Sequence, residues 1–167
     1  EGPRTVLDLG CGDGDFLLAA RNSGWLVAGT ERGERITEIV GVQVLKDLAA
    51  VRQEFGDSSF DAITCWHSLE HFDGPAATLT DINALLNEKG VLLIAVPDFD
   101  GWQSRLFGKH WLHLDVPRHL WHFTADSLKQ LLERHGFSVK GVRHCEFEYD
   151  VLGWSQSCMN TMFRTPN

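Results

Sequence analysis

The chain has 167 residues, of which 43% are hydrophobic and 23% charged; a domain of that make-up can bury a core without disulfides or metal, and disordered and fibrous classes drop out. A formal net charge of -8 with no cluster of lysine and arginine argues against a nucleic-acid partner, whose phosphates such a surface repels on average. There is no run of about 18 apolar residues, no signal-peptide pattern at the N-terminus and no close pairing among Cys11, Cys65, Cys145 and Cys158, so the expected setting is the reducing cytoplasm with no membrane span.

Thr5–Leu9 reads as a first strand. Gly10-Cys11-Gly12-Asp13-Gly14 follows as a turn, and Phe16, Leu17 and Ala20 then recur at helical spacing until Gly24. Trp25–Gly29 is a second strand ending at Thr30-Glu31, Val42–Leu45 a third ending near Asp47, and Phe60–Trp66 a fourth. After Pro75, the residues Leu79, Ile82 and Leu86 line one helical face before a turn at Asn87-Glu88-Lys89-Gly90. Val91–Val96 has the unbroken apolar character of a central parallel strand buried on both faces.

Residues 98–123 follow neither a period of 2 nor one of 3.6 and concentrate Trp, Phe and His. A loop of such length inside a compact domain is commonly functional, and its aromatics argue against disorder. Regular structure resumes with Thr124 as N-cap, Leu128, Leu131 and Leu132 facing the core and Gly136 as stop, followed by Phe137–Val142 as a sixth strand. The stretch from Phe147 to Asn167 carries no pattern that assigns it. Strands alternating with helices predict an α/β fold, a doubly wound, mainly parallel, Rossmann-like sheet with helices on both faces. Residues 1–167 are expected to form a single domain, with 98–123 as a lid-like insertion after the fifth strand. Because the chain enters a strand almost at once and stops at Pro166-Asn167 without a closing element, it reads as truncated from a longer protein.

A glycine turn between a strand and a helix lets backbone approach a ligand, and the helix start offers N–H groups and a partial positive charge to an anion. A dinucleotide site would place its third glycine at position 15, which is Asp15 here, and Asp13 and Asp15 would crowd a pyrophosphate. A zwitterionic amino acid suits the site better, its carboxylate at the helix start and its ammonium facing Asp8. The methionine half of S-adenosylmethionine is such a ligand. Glu31, 21 residues beyond Gly10, can accept both hydroxyls of an adenosine ribose, which fits either cofactor. Asp47 is placed to accept from an adenine amino group with Leu48 against the ring, or to serve only as a turn residue.

The run Val6-Leu7-Asp8-Leu9-Gly10-Cys11-Gly12-Asp13-Gly14, with Glu31, Asp47, Ser59-Phe60-Asp61 and Leu69-Glu70-His71, resembles class I S-adenosylmethionine-dependent methyltransferases from about Arg4 to Val142. Trp111, Asp115-Val116-Pro117-Arg118-His119 and His122-Phe123-Thr124 are similar to a bacterial subgroup related to enzymes that act on quinone precursors, sugars and other small molecules. The resemblance implies methyl transfer to an oxygen or nitrogen atom of a small-molecule acceptor. It also implies cofactor contacts at Asp8, Gly10, Gly12, Glu31, Asp47 and Leu48, and near Trp66 and His67 at the end of the fourth strand. Some quinone-modifying relatives hold a metal with a Glu, Glu, His set around the Leu-Glu-His motif, but the first of those positions is His67 here. No metal is expected at His67, Glu70 and His71, nor at His110, His113, His119 and His122, whose spacings match no zinc pattern.

Displacement of a methyl group from a sulfonium needs no proton on the leaving group, so alignment of donor and acceptor, worth about 7 to 11 kcal/mol, is the main task. A hydroxyl or ammonium acceptor also needs a base, for which His71 and His119 are the candidates ahead of Asp98 and Asp115. Ligands of open α/β sheets bind beyond the carboxyl ends of the strands, where 98–123 begins. Trp102, Phe107, Trp111 and Trp121 are expected to wall the acceptor, or else to fold back as core, and Arg118 to grip a carboxylate or phosphate, or else to form a structural ion pair. Two rival functions remain at this level: an inactive S-adenosylmethionine-binding partner module and a nicotinamide-dependent oxidoreductase.

Overall fold

Five parallel strands, β1 (Thr5–Leu9), β2 (Leu26–Thr30), β3 (Gln43–Leu45), β4 (Phe60–Trp66) and β5 (Leu86–Ala95), form one sheet in the order β3-β2-β1-β4-β5. The computed structural model describes residues 2–32, 41–144 and 147–163. Two compact units divide the chain, Glu1–Leu69 with Gly74–Ala95 (unit 1) and Glu70–Asp73 with Val96–Asn167 (unit 2).

Unit 1 holds the sheet. The chain leaves β1 for β2 and β3 on one side, then crosses back to β4 and β5, so the strand order reverses beside β1, where open α/β sheets bind their ligands. With the strand order reversing at β1, the right-handed rule for parallel crossovers assigns α1 (Asp15–Asn22) to one face and α2 (Leu48–Phe55) and α3 (Pro75–Leu85) to the other. α1 packs on β1 and β2, while α2 packs against α3. Leu7, Leu9, Leu17, Ile63, Leu79 and Ile82 are fully buried between the layers. Gly29 lets α1 settle on β2: a Cβ there would stand 2.7 Å from both Cys11 Sγ and Leu17 Cδ1.

The fifth strand departs from expectation. Val91 is 61% and Leu93 43% exposed: the two residues share one face of β5, and that face is open, while β5 is also an edge, pairing only with β4 among the described residues. The expected turn at 87–90 survives as a bulge within β5. Phe60 pairs with Leu86 and Ala62 with Val91, so Asn87, Glu88, Lys89 and Gly90 all lie opposite Asp61, whose carboxylate accepts from the Asn87 amide. The expected sixth strand is not formed: residues 137–144 carry no regular element.

Unit 2 contains α4 (Trp102–Phe107), two 3-10 turns at Gly108–His110 and Leu112–Leu114, α5 (Ala125–Arg134) and α6 (Phe147–Phe163). The irregular segment 98–123 therefore has short helices, and the unassigned tail is mostly one helix. α6 holds that segment: Ser157 Oγ accepts from the Leu112 N–H at 2.8 Å, and the Asn160 amide donates to the His110 carbonyl at 3.3 Å. Thr124 caps α5 as expected, in a reciprocal box with Ser127. Leu128, Leu131 and Leu132 are only half-buried, which follows from the missing strand after them. Cys145 and the 33–40 connection lie outside the described residues, and among the described residues no helix is long and apolar enough to cross a membrane.

Gly29→Ala should lower the free energy of unfolding by about 1 to 3 kcal/mol, the usual cost of forcing a methyl into a packed interior. Urea denaturation measures it; an unchanged midpoint would show that α1 does not rest on that glycine.

Candidate functional site

Where β1 ends, Gly10 turns the chain at φ 72°, and the N–H groups of Gly10 and Cys11 both donate to the Thr30 carbonyl at 2.9 Å. A Cβ at Gly10 would meet Ser68 Cβ at 2.8 Å, so no other residue fits without moving the end of β4. The loop then leads to Gly14, the N-cap of α1, which carries no side-chain cap. The first N–H groups of α1 thus point out of the helix without a capping oxygen, the arrangement that receives an anion.

Glu31 lies against this turn. Its Oε2 accepts the Gly12 N–H at 2.9 Å and its Oε1 the Arg32 N–H at 2.8 Å. Asp8 is buried, and Thr64, directly across in the register of β1 and β4, donates its hydroxyl to Asp8 Oδ1 at 2.6 Å. Burial pushes the Asp8 carboxyl up to about 6, against the lowering effect of the Thr64 hydroxyl. Cys11 is pushed up to about 11 by burial and then by the charges of Asp8 and Glu31, so it stays a thiol.

Asp47 uses Oδ1 to cap α2, accepting from Ala50 N–H at 2.9 Å, and Leu48 is buried as the first residue of that helix. Trp66 tilts against Phe16 with ring centroids 5.9 Å apart. Its indole Nε1 is buried with no hydrogen-bond partner among the described residues, and a buried donor in that condition calls for an acceptor. His67 sits at φ 47° and donates its N–H to the Ala95 carbonyl at 2.9 Å, a strained conformation for a non-glycine residue at the strand end.

Unit 2 assembles a second group. Glu70 is 1% exposed, and His71 and His119 lie edge to face with ring centroids 4.7 Å apart. His71 Nδ1 bonds the Arg118 carbonyl at 2.9 Å and His119 Nδ1 the His113 carbonyl at 2.8 Å. A carbonyl only accepts, so both Nδ1 atoms carry a proton, and in its neutral form each ring presents its lone pair at Nε2. Burial holds the His119 imidazole below its ordinary value, against the His113 carbonyl, which raises it. Trp111 is 3% exposed and packs on Phe99 and His113, so its ring serves the interior of its own unit. Arg118 is well exposed and pairs with Asp115, Nε to Oδ2 at 3.4 Å. Trp102 is 58% exposed, while Trp121, 44% exposed, donates its indole N–H to the Phe72 carbonyl at 2.9 Å.

Residues 1–141 match the family described as a methyltransferase domain. The chain belongs to that methyltransferase family. The ubiquinone biosynthesis O-methyltransferase of Haemophilus ducreyi is 29% identical over 105 residues, covering 55% of this chain and 44% of that protein. Its counterpart from Pseudomonas paraeruginosa is 31% identical over 101 residues, again 55% and 44%. This methyltransferase chain thus spans less than half the length of those relatives. A SAM-dependent methyltransferase from Archaeoglobus fulgidus superposes with a TM-score of 0.68 at 22% identity, over 95% of this chain and 80% of that one. One from Mesorhizobium loti does so at 0.66 and 18%, over 96% and 86%. The fold is the doubly wound, Rossmann-like α/β sheet of these methyltransferases.

Within this methyltransferase domain, the turn and Glu31 meet as the sequence suggests, whereas Thr64, Ser68 and Gly29 were missed. Each faces its partner only through strand pairing or helix packing, and no local pattern marks them. Glu70 had a signal in the Leu-Glu-His motif, but its burial did not.

Between pH 3.8, the ordinary value, and about 6 the native Asp8 keeps a proton that the unfolded chain has lost. Stability without ligand should therefore fall as pH rises through that window and level off above it. At roughly 1.4 kcal/mol per unit, the ionised carboxylate costs about 3 kcal/mol at pH 8. Asp8→Asn should remove the slope and melt higher than the parent at pH 8 in calorimetry. Parallel stability profiles for the two proteins would show that Asp8 ionises freely.

Proposed function

We propose that this chain binds S-adenosylmethionine in unit 1 and transfers its methyl group to a small-molecule acceptor. The observation that carries the reading is the Glu31 carboxylate at 2.9 Å from the Gly12 N–H, beside a helix start without a side-chain cap. That pairing supplies an acceptor for ribose hydroxyls and a donor set for a carboxylate on one short stretch of backbone. Asp8 then faces the ammonium, whose charge offsets the cost of ionising a buried carboxyl. Asp47, through its second oxygen, and Leu48 take the adenine, and Trp66 Nε1 and the strained backbone at His67 complete the cofactor contacts.

The acceptor falls to unit 2, read as the acceptor-binding part of one methyltransferase domain with 98–123 as its lid. The Nε2 lone pairs of His71 and His119 serve acceptor activation, and the exposed Arg118 grips an acidic group. Trp111 shapes the lid from inside rather than by an exposed ring. Similarity to ubiquinone biosynthesis O-methyltransferases supports an oxygen acceptor. An acidic chain whose described cysteines, Cys11, Cys65 and Cys158, are not joined in disulfides supports a cytoplasmic enzyme that works on small molecules rather than nucleic acid.

Incubation with methyl-labelled S-adenosylmethionine and a cell metabolite extract should yield labelled small molecules. Tight S-adenosylhomocysteine binding with no label transferred would mark a partner module, and preference for NAD would mark an oxidoreductase. Glu31→Ala should weaken S-adenosylhomocysteine binding by about 1.5 to 3 kcal/mol, the worth of a hydrogen bond to a charged group. Calorimetric affinity equal to that of the parent would remove Glu31 from the ribose.

A further inference from the structure

We propose that Glu70, His71 and His119 form a binding site for a divalent transition-metal ion of the zinc type. One ligand atom from each lies within 4.8 Å of the others. The donor set, two imidazole nitrogens and one carboxylate, suits zinc with a position left open for a further oxygen ligand.

Three features make this a built site. Each histidine gives its Nδ1 proton to a backbone carbonyl, His71 to Arg118 and His119 to His113. Ligating histidines are characteristically fixed this way, since the outer bond sets both the tautomer and the ring direction. The spacing is the second feature. His119 Nε2 stands 4.0 Å from Glu70 Oε1, too long for a hydrogen bond. Two ligands at about 2.0 to 2.1 Å from a shared zinc lie roughly 3.3 Å apart, so side-chain shifts of less than about 1 Å close the site. Third, Glu70 is almost completely buried beside these rings, while its backbone carbonyl accepts from the N–H groups of Leu120 and Trp121. The Glu70 backbone is thereby tied to the residues that follow His119. Asp115 Oδ2 also approaches His119 Nε2, at 3.9 Å, but it is drawn toward the Arg118 guanidinium.

This set differs from the one that the resemblance to quinone-modifying relatives implies. Position 67, a glutamate there, is His67 here; the third ligand of the cluster is His119, from the 98–123 segment. It departs from the expectation of no metal, which rested on His67 standing at the first glutamate position and on the spacings of the other histidines along the chain. A bound ion with an open position supplies a Lewis acid that lowers the pKa of a coordinated hydroxyl. His71 and His119 would then activate the acceptor by holding the ion, not by taking the proton themselves.

Zinc binding does not depend on the methyl-transfer reading, and S-adenosylhomocysteine binding checks that reading separately. Chelator-stripped chain should bind one equivalent of Zn2+ in competition with a chromophoric indicator. X-ray absorption of the zinc complex should show two imidazole ligands. His119→Ala should weaken zinc by more than the roughly 10- to 100-fold typical of losing one outer hydrogen bond to a ligand, and His67→Ala should leave it unchanged. Circular-dichroism melting of His119→Ala that parallels the parent establishes that the variant is folded. Absence of zinc binding by the parent chain overturns the proposal, and so does an absorption spectrum with fewer than two imidazoles. Loss on His67→Ala in place of His119→Ala would return the site to the relatives' ligand set.

Discussion

One carbonyl organises unit 1. Thr30, at the end of β2, accepts the N–H groups of both Gly10 and Cys11, which bends the chain sharply as it leaves β1. Only a residue free to take positive φ and without a Cβ can occupy position 10, where Ser68 closes in from β4. From that bend follow the helix start without a side-chain cap at Gly14 and the reach of Glu31 to Gly12, beside the buried Asp8 two residues upstream in β1. The site is thus a consequence of how the central strand stops.

The charges around that bend are matched to a ligand with both signs. A helix start favours an anion, while Asp8 and Glu31 favour a cation and hydroxyl donors. Asp8 pays for its position, since burial opposes its ionisation and a single hydroxyl from Thr64 offsets only part of the penalty. Such a carboxyl gains most from a partner that brings positive charge, and a ligand ammonium does so without requiring water to enter.

In unit 2 order comes from pairings distant in sequence. The segment 98–123 shows no period because no single face of it is buried continuously. Its backbone is met by Ser157 and Asn160 of α6, and Trp111 turns inward against Phe99 and His113. The same distance explains why the sequence did not bring the two histidines together with Glu70. His71 and His119 belong to different segments, and their approach to Glu70 depends on the backbone bonds from Leu120 and Trp121 to the Glu70 carbonyl.

Local physics was legible in the order of residues: apolar runs of strand length, glycines where the backbone must take positive φ, and acids at strand ends, so the α/β class and the Gly10–Gly14 turn with Glu31 could be read directly. The failures share a cause. An apolar run such as Val91–Val96 states that a strand wants cover on both faces without saying whether a layer is there, and β5 proved to have one open face, with Val91 and Leu93 exposed on it. Phe137–Val142 has strand composition, yet a strand exists only when it is paired. Backbone propensity and turn chemistry act between near neighbours and are therefore written in sequence. Which side chains share a space, Thr64 with Asp8, Gly29 with Leu17 and Glu70 with two histidines, was decided only when strands paired and distant segments packed, because those contacts are set by geometry across the chain rather than along it.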